Sequence, residues 1–484
     1  MEEIKKTVVI VGAGPAGLTA ALTALRRSKG KVVPIVLEKN PQYVGGISKT
    51  VDYKGYKFDI GGHRFFSKSA EITKFWEEIG GEDMLDRPRL SRIYYKKKFF
   101  DYPIKPFNAF VNLGPINSFF ILLSYLKAKV FPYKNPKTFE EWVTNQFGRK
   151  LYLTFFKTYT EKVWGIPCNK ISADWAAQRI KGLSLTSLVV NTVREFLGIK
   201  SKKVIKTLIE RFKYPRKGPG QFWGKVASLI NSEGGQVLLD RNVKKVNYDP
   251  QTKKILSIVV ENGAGETFEY KADYFISTMP IADLIKAMGS EVPEKYVKAS
   301  QKLGYREFLS VVLIVKKESV FEDNWIYIHE PDVLLGRIQN FKNWSPEMVS
   351  DLTTSSLGLE YFCQEGDSFW NMADKDLINL AKEELEKIGL VEKKLVIDGT
   401  VVRMPKAYPV YDEDYKNTVL SIREFTDPIS NLYLIGRNGM HKYNNQDHSM
   451  MTGIISVRKM LGESALDPWN VNSDAEYHEA GETS

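Results

Sequence analysis

Two cysteines, Cys168 and Cys363, and five histidines, His63, His329, His441, His448 and His478, are the soft ligands this 484-residue chain offers. The cysteines form no CxxC pair and the histidines show neither HExxH nor finger-type spacing, so no metal site is expected. The chemistry must rest on what glycines, arginines and tyrosines can hold. The first such site is Gly12-Ala13-Gly14-Pro15-Ala16-Gly17, with Glu38 lying 21 residues beyond Gly17. In a GxGxxG loop the first glycine turns the chain and the second lets backbone approach a pyrophosphate. The third lets the following helix pack closely on its strand. That helix offers free N–H groups and the positive end of its dipole to phosphate oxygens. A carboxylate at Glu38 suits a ribose diol and would repel a 2′-phosphate, so the expected ligand is a dinucleotide lacking one.

His63 follows Gly61 and Gly62, which permit close backbone approach to a cofactor. The plainer alternative is a buried, hydrogen-bonded histidine. Arg337 lies in the strand-like run LLGRIQNF, where a guanidinium among apolar residues needs a partner, either a structural carboxylate or a phosphate. Arg179 lies near the end of a segment with helical apolar spacing, residues 175–180, and is either on a solvated helix face or a phosphate ligand.

The elements that must position these groups follow from periodicity. Residues 7–11 (TVVIV) predict a strand buried on both faces of a parallel sheet, running straight into the glycine loop. An Ala- and Leu-rich helix follows to about Arg27, then a second strand over residues 31–37 that ends at Glu38. Pro34 is awkward there for a central strand. No second strand–GxGxxG–helix unit occurs. Near the far end, residues 431–435 (NLYLI) predict a strand closing on Gly436, with a helix from about Ser449.

With its internal motifs, this arrangement resembles the FAD-containing amine oxidase and protoporphyrinogen oxidase superfamily, and within it the UDP-galactopyranose mutases. FDIGGHRFFS (58–67) is similar to that family's histidine loop, and EKVWGIPCNKISADWAAQR (161–179) to its KVW…R segment. WIYIHEPDVLLGR (325–337), AYP (407–409) and GRNGMHKYNNQDHS (436–449) resemble its WxY…R, Tyr-Pro and GR…KY…NQDHS segments. The resemblance implies FAD, active when reduced. It assigns cofactor binding to Gly12, Gly14, Pro15, Ala16, Gly17, Glu38, Lys39, Gly45, Gly46, Ser48, Gly61, Gly62, His63, Val243, Gly436, Arg437, Asn445 and Gln446. It also implies catalytic roles for His63, Arg179 and Arg337, and substrate contact by Trp164, Tyr327, Tyr408, Tyr443 and Asn445.

The activity so implied is a pyranose–furanose mutase acting on a nucleotide-diphosphate sugar, with N5 of reduced flavin as nucleophile, serving cell-surface polysaccharide synthesis. One rival is an FAD-dependent oxidase or desaturase of a porphyrin, amine or isoprenoid. Another is a nucleotide-binding scaffold without turnover.

The expected fold class is α/β. A discontinuous FAD-binding Rossmann-like domain takes residues 1–85, 222–285 and 415–466. A mostly antiparallel substrate sheet takes 86–105 and 286–414, a helical domain 106–221, and a disordered tail 467–484. Apolar residues at 43% and charged residues at 26% are ordinary for a globular chain. Lys and Arg total 69 against 58 for Asp and Glu, a net +11 without a long basic block. That suits an anionic small ligand or surface, and no nucleic-acid module accompanies it. The charged start and a longest apolar stretch of only FFILLSYL (119–126) predict a cytoplasmic protein without a transmembrane segment. The densest basic segment, 195–217, reads as a solvated helix face or as a peripheral contact with the inner face of a membrane.

Overall fold

The computed structural model describes residues 5–102, 104–173, 176 and 211–472. Its first sheet has five parallel strands in the order Leu432–Leu434, Tyr274–Ser277, Lys6–Val11, Val32–Leu37 and Gln236–Leu238. Distant stretches of chain therefore meet in one sheet. Its central strand is apolar from Val8 to Val11 because both faces are covered there: Val8 and Ile10 pack into one hydrophobic cluster, Val9 and Val11 into another. Helices Pro15–Arg27 and Gln446–Met460 cross closely on the first side, where a Cβ at Gly453 would lie 2.7 Å from the Ala16 carbonyl oxygen. Pro34 is accommodated because Gln236–Leu238 begins pairing only at Ile35, so the strand is still an edge at the proline.

The second sheet has seven strands, in the order Val396–Pro409, Tyr305–Val315, Ser355–Cys363, Arg337–Asn340, Trp325–Ile328, Ser91–Tyr95 and Lys98–Asp101. All neighbours run antiparallel except Trp325–Ile328 beside Ser91–Tyr95. One face buries Leu309, Val311 and Leu313 together with Leu377, Ala381 and Leu385 of helix Asp374–Lys387. Against the other lies a helical unit containing Pro106–Leu113, Pro115–Val130, Phe139–Phe147 and Lys157–Trp164, with Phe139, Val143, Phe155 and Trp164 in its core. A π-helical turn, Tyr152–Phe156, interrupts it. A three-stranded antiparallel sheet, Asn242–Asp249, Lys254–Glu261 and Thr267–Lys271, completes the α/β fold.

Two expectations need correction. The described end of the basic segment is not helical: Arg211–Pro215 is a strand paired antiparallel with Met84–Pro88. Its period of two, with Phe212 and Tyr214 buried between exposed Arg211 and Lys213, overrides the surrounding helical spacing. Nor does the chain become loose at residue 467. Pro468–Asn470 forms a 3-10 turn, Val471 is buried, and Lys442 Nζ donates to the Trp469 and Val471 carbonyls at 2.6 Å each. Residues 195–210 and 473–484, and Arg179, lie outside the described residues.

Candidate active site

The carboxyl ends of the parallel strands open into a cavity of about 1280 Å³ that reaches across to the antiparallel sheet. This exceeds the roughly 300–1,000 Å³ of an ordinary small-molecule site. The glycine loop forms one end. Gly12 has φ +97°, and a Cβ there would stand 2.0 Å from Thr278 Oγ1; a Cβ at Gly17 would stand 2.0 Å from the Gly12 carbonyl oxygen. Both positions therefore demand glycine. Gly45, with φ +102°, donates its N–H to the Ala13 carbonyl at 2.7 Å and lays the 45–48 loop over Gly14. Glu38 is buried, and its carboxylate accepts from the N–H groups of Ala13 (2.8 Å) and Asn40 (2.9 Å). Glu38 thus faces the cavity as a held, oriented acceptor.

His63 sits where the two sheets meet. Its Nε2 donates to the Ile60 carbonyl at 2.8 Å, leaving Nδ1 to accept from Ser48 Oγ at 3.4 Å. Burial, with the positive fields of Arg437 and Arg337 behind it, pulls its pKa down to about 4. The imidazole is neutral at neutral pH. Gly62 is packed against Gln339 and Trp344, where a Cβ would come within 3.1 and 3.2 Å.

Beyond His63 the wall is aromatic and cationic. Tyr408 and Tyr443 stack with centroids 5.5 Å apart and planes 15° apart. Arg437 lies over both rings, at 5.6 and 4.8 Å, and donates to the carbonyls of Asn444 (2.9 Å) and Ala407 (3.1 Å). Trp164 is buried behind the pair, edge-on to Tyr408 and tilted against Tyr443, and does not line the cavity. Tyr327 is likewise set back, directly opposite Arg337 across two strands, with its ring 4.8 Å from Tyr102. Arg337 reaches the cavity but is ion-paired to Glu360, which also accepts from Gln339 Nε2 at 2.8 Å. The structural carboxylate is thus present. Burial opposes the charge on Arg337, yet Glu360 keeps it firmly protonated.

The structure brings most of the sequence-derived residues together. Gly12, Gly14, Pro15, Ala16, Glu38 and Lys39 share the cavity with Gly46, Ser48, Gly61, Gly62, His63 and Val243. Arg337, Tyr408, Gly436, Arg437, Tyr443, Asn445 and Gln446 line it as well. The Asn445 N–H donates to His448 Nδ1 at 3.3 Å, and His441 Nε2 contacts the Val410 carbonyl at 3.2 Å, so both histidines hold local backbone.

Sequence reading missed two arginines. Arg64 and Arg89 line the same cavity, with guanidinium carbons 5.5 and 5.6 Å from the Trp325 ring. Neither has a carboxylate partner among the described residues, and Arg89 Nε is buried without a hydrogen bond. Burial, then the charge of Arg89, lowers the pKa of Arg64. Arg64 adjoins His63 in sequence, but nothing local marks Arg89. Tyr159 was also missed: it stacks on His329 at 4.7 Å and meets Tyr327 edge-on.

The residues fit a flavin dinucleotide. Helix Pro15–Arg27 has no side-chain cap and no acidic residue in its first turn, leaving its N–H groups for an anion. A Cβ on Gly14 would meet nothing nearer than 3.8 Å, so its backbone is bare toward the cavity. At the other end, Gln446 Oε1 is a buried acceptor without a partner, at the start of helix Gln446–Met460. A parallel nucleotide-binding sheet facing a mostly antiparallel sheet across such a cavity defines a flavin-dependent enzyme. The chain belongs to the flavin containing amine oxidoreductase family, whose model matches residues 15–445.

Solved structures agree on the fold. A reduced UDP-galactopyranose mutase is 21% identical, with a TM-score of 0.81 over 98% of each chain. A redesigned triple mutant of putrescine oxidase is 17% identical, with a TM-score of 0.61 over 95% of this chain and 99% of that one. A fatty acid isomerase from P. acnes is 12% identical, with a TM-score of 0.60 over 94% and 98%. One scaffold thus carries a mutase, an oxidase and an isomerase, and the reaction must be argued from the site.

Proposed function

We propose that the protein is an FAD-dependent pyranose–furanose mutase acting on a nucleotide-diphosphate sugar. The observation that carries this reading is the convergence of Arg64, Arg89, Arg337 and Arg437 with Tyr408 and Tyr443 on one cavity. With Arg437 given to the cofactor, Arg64, Arg89 and Arg337 remain; an apolar or cationic substrate has no use for them, whereas a departing diphosphate does. FAD would be held by the Gly12–Gly17 loop, Glu38, Lys39, Gly45, Gly46, Ser48, the Gly61–His63 loop, Val243, Gly436, Arg437, Asn445 and Gln446. When bound and reduced it supplies a nucleophilic N5. Arg337, with Arg179, would hold the diphosphate, Tyr408, Tyr443 and Asn445 would orient it, and Tyr327, set back from the cavity, would support Arg337 from the neighbouring strand. Neutral His63 keeps its tautomer through Ile60 and adds no further charge beside the cofactor.

A second reading, an FAD-dependent oxidoreductase, is favoured by Glu360, which already balances Arg337. The purified yellow protein, reduced with dithionite, would be incubated with UDP-galactopyranose, UDP-galactofuranose and other sugar nucleotides, and isomers followed by chromatography. Interconversion only under reducing conditions is the expected result. Oxygen-dependent turnover of an amine, porphyrin or polyene, without isomerisation, would establish the oxidoreductase instead.

A further inference from the structure

Helix Pro115–Val130 is apolar on two opposite sides. Ile121, Tyr125 and Ala128 are buried against the helical unit. The outward side, where a surface helix normally places polar groups, carries Ile116, Phe119, Phe120, Leu123, Leu126 and Val130, at positions i, i+3, i+4, i+7, i+10 and i+14. All six are exposed, Ile116 at 71% and Val130 at 68%. The preceding helix, Pro106–Leu113, extends the surface with Phe107 (73%), Phe110 and Val111, and Phe131 (74%) closes its far end. So many large side chains left bare in one place exceed the scattered apolar exposure of an ordinary surface and mark an interaction site.

Charge identifies the occupant. Lys105 precedes the first helix, Lys98 Nζ donates to the Asn112 carbonyl at its end, and Lys127 and Lys129 lie in the last turn of the second, whereas Asp101, paired with Lys105, is the one acidic residue between positions 91 and 139. A protein partner with an apolar face would not require lysines at both ends of it. Anionic headgroups above an acyl layer match both features. Sixteen helical residues span about 24 Å, short of the ~30 Å hydrocarbon layer, and no helix among the described residues is long and apolar enough to cross a membrane.

We propose that the outward face of helices Pro106–Leu113 and Pro115–Val130 docks the protein on an anionic membrane surface, lying in the interface without crossing it. Tyr102 and Ile104, just before the first helix, and Phe147 and Phe156 of the same unit line the cavity, so docking sets one wall of the active site close to the lipid. The inference stands whichever reaction the cavity performs.

The test is co-sedimentation of the flavin-loaded full chain with vesicles of phosphatidylcholine alone or mixed equally with phosphatidylglycerol, at low and high salt. Binding to the anionic vesicles, at least tenfold stronger than to the neutral ones and weakened by salt, is expected. Two sets of variants, Phe119→Ser/Leu123→Ser/Leu126→Ser and Lys127→Glu/Lys129→Glu/Lys134→Glu, should each lower it at least tenfold, with flavin content and Tm unchanged. Because Cys168 and Cys363 are buried, Phe119→Cys can be labelled selectively with an environment-sensitive dye. A blue shift on anionic vesicles supports insertion. Absence of both sedimentation and blue shift overturns the proposal. So does a dimer seen by light scattering that the serine variant disperses while vesicles remain unbound, since the face would then join two copies of the chain.

Discussion

Arg337 and Glu360 are direct cross-strand partners in the antiparallel sheet, and the carboxylate that pairs with the arginine is only 1% exposed. This couples the candidate diphosphate ligand to the stability of the sheet. Arg337→Ala alone would strand a buried carboxylate at a cost of about 3–5 kcal/mol. The double variant Arg337→Ala/Glu360→Gln should recover most of that loss in urea denaturation. It should also keep FAD while turnover on a sugar nucleotide falls about 100-fold, the usual scale for a lost charge-stabilising group. Unchanged turnover in the double variant would remove Arg337 from the site.

Gly17 tests the nucleotide loop. A methyl group there collides with the Gly12 carbonyl oxygen at 2.0 Å, and the atom struck is backbone. Gly17→Ala is expected to purify colourless, with the ratio of absorbance at about 450 nm to that at 280 nm near zero. Full flavin content would show that the loop does not hold the cofactor.

Arg64 and Arg89 carry charge into the cavity without carboxylate partners among the described residues. Replacing either with methionine keeps bulk over Trp325 and removes the charge. If they face substrate, KM for the sugar nucleotide should rise about 10- to 100-fold, the equivalent of a charge-assisted hydrogen bond of roughly 1.5–3 kcal/mol. Flavin content should stay constant. A KM that does not move assigns the pair to the sheet instead.

The buried histidines set an acid limit. His63 and His441 are held down to about 4 and His329 to about 3, in each case chiefly by burial, against 6.5 when unfolded. Between pH 6.5 and these values the unfolded chain binds protons that the folded chain refuses, so stability falls as pH falls. Asp59 opposes this: burial raises it to about 7 from 3.8, and its contribution is lost as pH rises through that range. Burial also raises Glu307, Glu360 and Glu384, which act with Asp59, so the histidine contribution is read by difference, from the change in Tm between pH 6.5 and 4 in the parent and in a histidine variant. His329→Gln should flatten the slope. An unchanged pH dependence of Tm in His329→Gln would contradict the assignment.

Much of the nucleotide end is legible in residue order because its constraints are local. A β-branched run, three glycines at fixed spacing and an acid at the next strand end each act within a few residues of one another, and Gly12, Gly17 and Glu38 stand where those rules require. His63 is similarly marked by the two glycines before it. Tyr327 and Trp164 show the limit of such reasoning: their types suit a phosphate or sugar contact, yet packing sets both back from the cavity. The strand Arg211–Pro215 shows another, since its partner Met84–Pro88 lies far away in the chain and no helical periodicity nearby reveals it.

Residue order alone predicts a dinucleotide-binding unit with an acid placed for a ribose diol, because glycine conformations and helix dipoles need no distant partner. Three-dimensional packing assigns the charge balance and the exposed surface. Glu360 neutralises Arg337, and Arg64 and Arg89 meet over Trp325, only because separate strands align them, and Coulomb energy depends on distance in space rather than along the chain. In the same way, apolar spacing made Pro115–Val130 a helix but could not say which side the protein would cover, and the fold leaves Phe119, Leu123 and Leu126 to the outside.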